Sequence, residues 1–569
     1  MSLLPQALNL VSRLVKSPPL KAFSLFNASI CEGFQHTYET TPVVLHLLLS
    51  SGMLPQVQSL LLQSLSGNLP TFPPSSLPSL LHHYLTQANS NSNSNSAHHL
   101  LLLYEALITA LVESKMPEDA LNHFDQMIMH GLVPRPTTFN NLLTHLLKLN
   151  YFERAWRVFN ESKGRIPLDV YSFGIMIKGC TEIGDLAKGF VLLSQLESMG
   201  WSPNVVIYTT LIDGCCKNGD VEEANKLFIK MGKMGLVANE FTYTAMINGY
   251  FKKGFKKEGF ELYEEMRLKG AFPSIYTYNS LINEYGKAGN TSRAFELFDE
   301  MRERGVAYNV VTYNTLISGL CQQKKPLEAE KLLSRMKRAQ LSPNSITYNT
   351  LIDGFCKAGK LDKALRLVDR MKSSGHSPSL VTYNVMIAGF CRSGNLLGTA
   401  RLVREMEERG ISPSRVTYTI LIDAFVRSDN MGKAFEMSSS MEKAGLVPDV
   451  YTYGVLIHGF CSSGNMKDAS KLFKSMSQMQ LKPNDVIYNM MIYGYCRQGS
   501  SYRALRLLKE MLDLGMIPNM ASYKLTIDVL CRDGKWQDAE FLLNKMVQSG
   551  LHPCDSMYSS ISRAKLNDA

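Results

Sequence analysis

The sequence predicts an all-α fold, an α-solenoid stacked from 35-residue helix-turn-helix repeats. Three observations predict it: an apolar signature recurs at constant spacing, each interval holds two stretches of helical periodicity, and glycine and proline punctuate the intervals at fixed places. The signature reads Val206-Ile-Tyr-Thr-Thr-Leu-Ile212, Val311-Thr-Tyr-Asn-Thr-Leu-Ile317, Ile346-Thr-Tyr-Asn-Thr-Leu-Ile352, Val381-Thr-Tyr-Asn-Val-Met-Ile387 and Val416-Thr-Tyr-Thr-Ile-Leu-Ile422. Taking the residue before each as position 1, motifs begin at 205, 240, 275, 310, 345, 380, 415, 450, 485 and 520 without an insertion. Upstream the register continues at 170, at 136 (a 34-residue motif) and at 101, which makes thirteen complete motifs over 101–554 and a truncated motif over 555–569. Self-similarity at such a period marks a repeat architecture.

The motif starting at Ser345 shows the internal pattern. Tyr348, Leu351, Ile352 and Phe355 fall at i, i+3, i+4 and i+7, one apolar face of a first helix. Gly359 is placed to end it as a left-handed cap. Leu361, Ala364, Leu365, Val368 and Met371 then mark a second helix, stopped by Gly375 and Pro378. One such hairpin cannot bury its apolar face, whereas stacked neighbours can, and the stack is superhelical with a continuous concave surface. A chain of 569 residues is too long for one ordinary core, and a stack grows without needing one.

The flanks differ. Residues 1–35 are expected to be an organelle transit peptide: Arg13, Lys16 and Lys21 precede the first acid, Glu32, and Leu3, Leu4, Ala7, Leu8, Val11, Leu14 and Val15 recur at helical spacing among serines. The well-developed amphipathic helix points to the mitochondrion, with the chloroplast as the alternative. Residues 36–100 read as a degenerate hairpin, Val43 to Leu62, followed by a Pro/Ser-rich stretch and a strict Asn-Ser alternation, Asn89 to Ser96, read as flexible linker.

Sixty Lys and Arg against 50 Asp and Glu give a net charge of +10, a mild excess that permits an anionic partner without demanding one. No apolar run reaches the length of a membrane span. Seven of the eleven cysteines, Cys216, Cys321, Cys356, Cys391, Cys461, Cys496 and Cys531, fall at motif position 12. They lie a repeat apart with no Cys-x-x-Cys, so neither a metal site nor a disulfide framework fits, and they read as small core residues. The methionines at position 27 (Met231, Met266, Met301, Met336, Met371, Met406, Met441, Met476, Met511 and Met546) read as core too. Position 13 carries Lys217, Lys252, Lys287, Lys357, Arg392, Arg427, Arg497 and Arg532. Stacking turns these into a stripe of positive charge, able to offset the first helix's dipole and to contact a phosphate backbone.

The pattern Val-Thr-Tyr-Asn-Thr-Leu-Ile, then Gly-x-Cys-Lys-x-Gly, a second helix ending in Met and Gly-x-x-Pro resembles the pentatricopeptide repeat family, over about 80% of the chain. The uniform 35-residue length resembles its P subclass. The resemblance implies a right-handed superhelical α-solenoid that reads single-stranded RNA one base per repeat. Position 2 residues would clamp the bases: Val206, Phe241, Tyr276, Val311, Ile346, Val381, Val416, Tyr451 and Val486. Positions 5 and 35 would set base identity. By the family rule, Asn140 with Asp169 resembles a U reader and Thr209 with Asn239 an A reader. Asn279 with Asn309, Asn314 with Asn344, and Asn489 with Asn519 favour pyrimidines; Asn349 with Ser379 and Asn384 with Ser414 favour C more weakly. Thr419 with Asp449 resembles a G reader, Thr244 with Ser274 tolerates a purine, and Gly454 with Asn484 is a weak A reader. Glu105 with Arg135, Gly174 with Asn204 and Lys524 with Cys554 match no good pair. The implied site, read parallel to the chain, is 5′-n-U-n-A-R-Y-Y-C-C-G-(A)-Y-n-3′.

No His-x-Glu with Cys-x-x-Cys and no Walker loop occurs, so catalysis in cis is not expected, nor is any cofactor or metal. Two functions are open: a passive RNA-binding factor in organelle RNA processing, acting in intron splicing or in transcript stabilisation and end maturation, and a protein-binding helical-repeat scaffold. The first implies organelle RNA as partner, with other RNA-processing proteins, and a monomeric chain.

Overall fold

A computed structural model describes residues 3–31, 40–65 and 93–568. Among these the chain is a succession of α-helices, and the only β pairing is an isolated bridge between Lys163 and Ile166. The helices fall into two compact units, Met1–Thr277 and Tyr278–Ala569.

In both units the motif boundaries coincide with helix starts. Val170–Ile183, Val205–Asn218, Glu240–Lys253, Val310–Gln322, Ser345–Lys357 and Asp485–Arg497 each begin at position 1. The reason is local. The residue before each start is extended and has a side chain that can accept from the first turn's free N–H groups, as helix N-caps require. The helix ends are equally local. After Ser345–Lys357 the backbone turns left-handed at Gly359 (φ +72°), and Lys360 N–H bonds back to Phe355 O at 2.9 Å.

The first helix of the Ser345 motif buries Tyr348, Leu351, Ile352 and Phe355, the face the spacing marks. The second helix, Leu361–Ser373, departs from expectation. It buries Ala364, Leu367 and Met371, and leaves Leu365 exposed. Two stripes at helical spacing coexist in this leucine-rich segment, and only the neighbouring helices select the one that becomes core. The position-27 methionines are all buried. Tyrosines at position 4 are buried as well, except Tyr418 and Tyr453, which are half-buried, and several of their hydroxyls find a carboxylate on the second helix: Tyr488 donates to Glu510 at 2.8 Å and Tyr383 to Glu405 at 3.1 Å.

Adjacent first helices lie close where a glycine at position 10 meets the previous motif's position-12 residue, a cysteine in several motifs and Gly286 facing Gly319 in another. A Cβ on Gly249, Gly354 or Gly389 would lie 2.4, 2.3 or 2.5 Å from the sulfur of Cys216, Cys321 or Cys356. These cysteines are buried as expected, although Cys391 and Cys531 are only half-buried.

The 34-residue motif loses its residue at the second helix, Phe152–Ser162, which has 11 residues where its neighbours have 13, before the turn closed by the Lys163–Ile166 bridge. The hairpin expected over Val43 to Leu62 is Thr40–Ser50 with Leu54–Leu65. Helices Leu3–Val15 and Pro19–Cys31 pack on Thr40–Ser50, with Leu14, Ala22 and Phe26 buried. The Asn-Ser alternation is corrected in part: the helix containing the motif start at Leu101 begins at Asn93, so residues 93–96 are helical and not linker. Adding turns to a nucleated helix is cheap even for poor helix formers. The rest of the alternation and the Pro/Ser-rich stretch lie outside the described residues. The truncated motif supplies one further first helix, Asp555–Asp568, packed on Met520–Arg532 and Trp536–Gln548.

The glycine contact makes a testable demand. Gly354→Ala drives a methyl into Cys321 and is expected to cost about 1–3 kcal/mol, seen as a lower denaturation midpoint. Cys321→Gly in that background removes both clashing side-chain atoms and should recover part of the loss; no recovery would refute the close approach.

Candidate nucleic-acid interface

The Asn and Asp residues at position 35 serve first as helix N-caps. Asn204, Asn239, Asn309, Asn344, Asn484 and Asn519 accept a hydrogen bond from the backbone N–H three residues on, and Asp169 and Asp449 do the same. Capping by itself therefore accounts for a short polar residue at this position. What sets these caps apart is the residue they are joined to.

They are joined to position 5 of their own motif through a hydroxyl that sequence reasoning passed over, the Thr or Ser at position 3 of the following motif. Thr347 Oγ accepts the N–H of Asn344 at 3.2 Å and donates to Asn314 Oδ1 at 2.6 Å. Thr382 reaches Asn349 at 2.9 Å, Thr417 reaches Asn384 at 2.7 Å, Ser522 reaches Asn489 at 2.7 Å and Ser172 reaches Asn140 at 2.7 Å. The threonines at position 5 join the same way: Thr209 with Thr242 and Thr244 with Thr277 at 2.7 Å, Thr419 with Thr452 at 2.9 Å. The structure thus brings positions 5 and 35 together as the resemblance implies. The exception is Asn279, whose Oδ1 is buried without a hydrogen-bond partner.

Where position 5 is glycine the hydroxyl is replaced. Ile207 lies 3.7 Å from a Cβ built on Gly174, and Ile487 lies 3.6 Å from one on Gly454. This exchange of Gly plus Ile for Asn or Thr plus Thr was readable in the sequence, as a change at position 3 one motif after each glycine. The pair Glu105 and Arg135 is closed by an internal ion pair: the buried carboxylate accepts from Arg135 Nε at 2.7 Å and from its backbone N–H at 2.8 Å.

Asp169 is held ionised. Burial pushes its carboxyl upward, but hydrogen bonds from Ser172 and Asn140 outweigh that and leave it below the usual range.

The position-2 residues lie outside the core. Val206, Phe241, Tyr276, Val311, Ile346, Val381, Val416, Tyr451 and Val486 are 50–77% exposed. Packing at a helix start does not explain them. In the first unit Val206, Phe241 and Tyr276 line a cleft of about 500 Å³ together with Thr209, Thr244 and Asn239. Apolar walls and paired polar groups in one cleft suit a flat ring with a hydrogen-bonding edge.

The position-13 cations lie on the same helices but are internally paired. Lys217 meets Asp213 at 2.6 Å, Lys357 meets Asp353 at 2.6 Å, Arg427 meets Asp423 at 2.8 Å and Lys287 meets Glu284 at 2.5 Å. Arg392 reaches Asp353 at 3.7 Å, Lys252 donates to the Lys217 carbonyl, Arg532 to that of Asp528, and Arg497 lies over the Tyr493 ring. Exposed pairs of this kind contribute about 0–1 kcal/mol, so an incoming anion can exchange them readily.

Among the described residues no cluster of His, Cys, Asp and Glu could hold a metal, and no helix is long and apolar enough to cross a membrane.

Family models described as PPR repeat family and PPR repeat match residues 134–182, 203–252 and onward in overlapping steps to 521–551, with a further match at 103–132. The chain belongs to the pentatricopeptide repeat family. Among its relatives in Arabidopsis thaliana, pentatricopeptide repeat-containing protein At4g11690 is 54% identical over 207 residues, 36% of this chain and 35% of that protein. The mitochondrial protein At1g80150 is 33% identical over 98 residues, 17% and 25% of the two chains. The chloroplastic protein At5g48730 is 29% identical over 111 residues, 19% and 22%. The chain thus spans about a third of the first relative's length and about a quarter of the other two. The solved structure of PPR10 from maize aligns over 98% of this chain and 95% of that one, at 22% identity and a TM-score of 0.43.

The thiols offer a check on the packing beneath the interface. Burial pushes Cys216, Cys321, Cys356 and Cys461 up to about 12, whereas a hydrogen bond from Ser556 lowers the exposed Cys554. Brief alkylation at pH 8 followed by peptide mass spectrometry should modify Cys554 and spare those four, because only the thiolate reacts. Equal labelling would refute the buried Gly–Cys contacts.

Proposed function

We propose that this chain is a sequence-specific single-stranded RNA-binding factor of the P subclass, acting without catalysis on organelle transcripts. The observation that carries this reading is the slot between motifs, where exposed apolar residues at position 2 flank a polar pair at positions 5 and 35. Stacking on such walls favours any base, and the polar pair selects among them.

The chemistry of the pairs follows their hydrogen bonds. Asn140 donates from its amide to ionised Asp169 at 3.1 Å; its second amide N–H and the remaining carboxylate lone pairs suit a uracil edge with its carbonyls and N3–H. In the slots of Asn314, Asn349, Asn384 and Asn489 the inward amide oxygen is occupied and the outward NH₂ suits the acceptors of a pyrimidine. Thr244 and Thr419 donate their protons to Glu240 and Arg415 carbonyls, so each offers the ligand an acceptor lone pair, which suits the N–H groups of purines. The Glu105–Arg135 pair and the Gly174–Ile207 slot leave no such edge to read.

The role is passive: holding a transcript single-stranded for intron splicing, or guarding it from exonucleases during stabilisation and end maturation, with other RNA-processing proteins as further partners of a monomeric chain. The basic leader over residues 1–35, free of acids before Glu32, and the mitochondrial and chloroplastic names of relatives support an organelle setting, the mitochondrion first.

Gel shifts at fixed salt with the oligomer 5′-n-U-n-A-R-Y-Y-C-C-G-(A)-Y-n-3′ and a scrambled one test the reading; equal affinity would sink it. Thr419→Asn recreates beside Asp449 the pair found in Asn140 and Asp169. It should move preference at that nucleotide from G towards U, at about 1–3 kcal/mol on the original base. Lys357→Ala should weaken all sequences alike and lower the salt slope by about one ion; a sequence-dependent loss would refute phosphate contact there.

A further inference from the structure

We infer that, where it bonds an asparagine at position 5, the position-3 hydroxyl of the following motif is a specificity-determining positioning residue, because it sets which end of that amide faces the ligand. The inference rests on the RNA-binding reading above. It begins with a count of hydrogen bonds at Thr347. Its oxygen accepts the Asn344 N–H at 3.2 Å, and its one proton has two candidate acceptors, Asn314 Oδ1 at 2.6 Å and Asn344 Oδ1 at 3.1 Å. Asn344 Oδ1 already accepts from the Thr347 backbone N–H at 3.0 Å. A separation of 2.6 Å is an O–H···O distance and is short for N–H···O. The proton therefore goes to Asn314, whose oxygen turns inward and whose NH₂ turns to the groove. The same polarity holds at Asn140, Asn384 and Asn489, where the hydroxyl-to-amide distance is 2.7 Å, and at Asn349, where it is 2.9 Å.

Without the hydroxyl Asn314 keeps only a long contact from its Nδ2 to Asn344 Oδ1, at 3.4 Å, to hold that orientation. Flipped, it would offer an oxygen to the base edge, and its selection for the acceptors of a pyrimidine would be lost. The chain contains an internal comparison. Asn279 with Asn309 carries the same two residues as Asn314 with Asn344, yet Thr312 bonds only to Asn309, at 3.1 Å, and Asn279 Oδ1 has no partner. Equal residues at positions 5 and 35 thus sit in slots of unequal rigidity, and the Asn279 slot should discriminate less sharply.

The experiment uses the full chain and two sets of four RNAs, carrying each nucleotide opposite the Asn314 slot or opposite the Asn279 slot, titrated to equilibrium at one salt concentration. The wild type should discriminate pyrimidine from purine more strongly at Asn314 than at Asn279. Thr347→Val should lower discrimination at Asn314 about tenfold, within the range such contacts span, while Thr347→Ser retains it. Thr312→Val removes the same capping interaction and should leave the ratios at Asn279 unchanged. Wild-type ratios in Thr347→Val, or an equal loss in Thr312→Val, would overturn the inference while leaving sequence-specific binding intact. A wild type that binds all eight RNAs alike would instead overturn the RNA-reading function itself.

Discussion

The structure depends on one local interaction, the capping of a first helix by the Asn, Asp or Ser that ends the motif before it. A helix start leaves backbone N–H groups unpaired, and Asn, Asp and Ser satisfy them at a gain of about 1 kcal/mol each. Asn344 caps Ser345–Lys357 in this way, and its own N–H is taken by Thr347. The cap fixes where the helix starts, hence where positions 2, 5 and 13 point. The residue expected to help select a base is therefore first a structural residue. That restricts position 35 to a few side chains and shifts more of the selection onto position 5.

Beneath the caps the motifs are held by contacts that tolerate little change. Glycine at position 10 admits the sulfur of the preceding Cys216, Cys321 or Cys356 where a methyl group would clash. Among the tyrosines at position 4, Tyr383 and Tyr488 bury their rings and pass their hydroxyl protons to carboxylates on the second helix. Interiors packed this closely transmit small displacements, so slot geometry is set by the core below it. Against that background the exposed Val, Ile, Phe and Tyr at position 2 stand out, because nothing in the motif's own packing needs them.

The motifs that depart from the pattern do so by closing their slots, each with its own chemistry. Glu105 and Arg135 neutralise each other. Ile207 and Ile487 face the backbone of Gly174 and Gly454, where no side chain is present to be oriented. Gly454 with Asn484, read by residue pair alone, resembles a weak A reader; its apolar neighbour offers no hydroxyl to fix a polarity. The cationic stripe departs from expectation in another sense, because its members are paired with acids one turn earlier, such as Asp213, Asp353 and Asp423. A phosphate chain arriving there would meet ion pairs to exchange and not an empty positive rail.

By itself the sequence determined the repeat, its register and its two-helix content, because period, caps and glycine stops are all local signals. The same locality placed the buried cysteines and methionines and picked out positions 2, 5, 13 and 35. Only the tertiary structure decided what depends on contact between motifs. It chose Leu367 over Leu365 for the core of the second helix at 361–373, a choice periodicity leaves open. It extended the helix before Leu101 back to Asn93. It also revealed the position-3 hydroxyl as the link between positions 5 and 35, since Asn314 and Thr347 lie 33 residues apart and meet only when one motif stacks on the next.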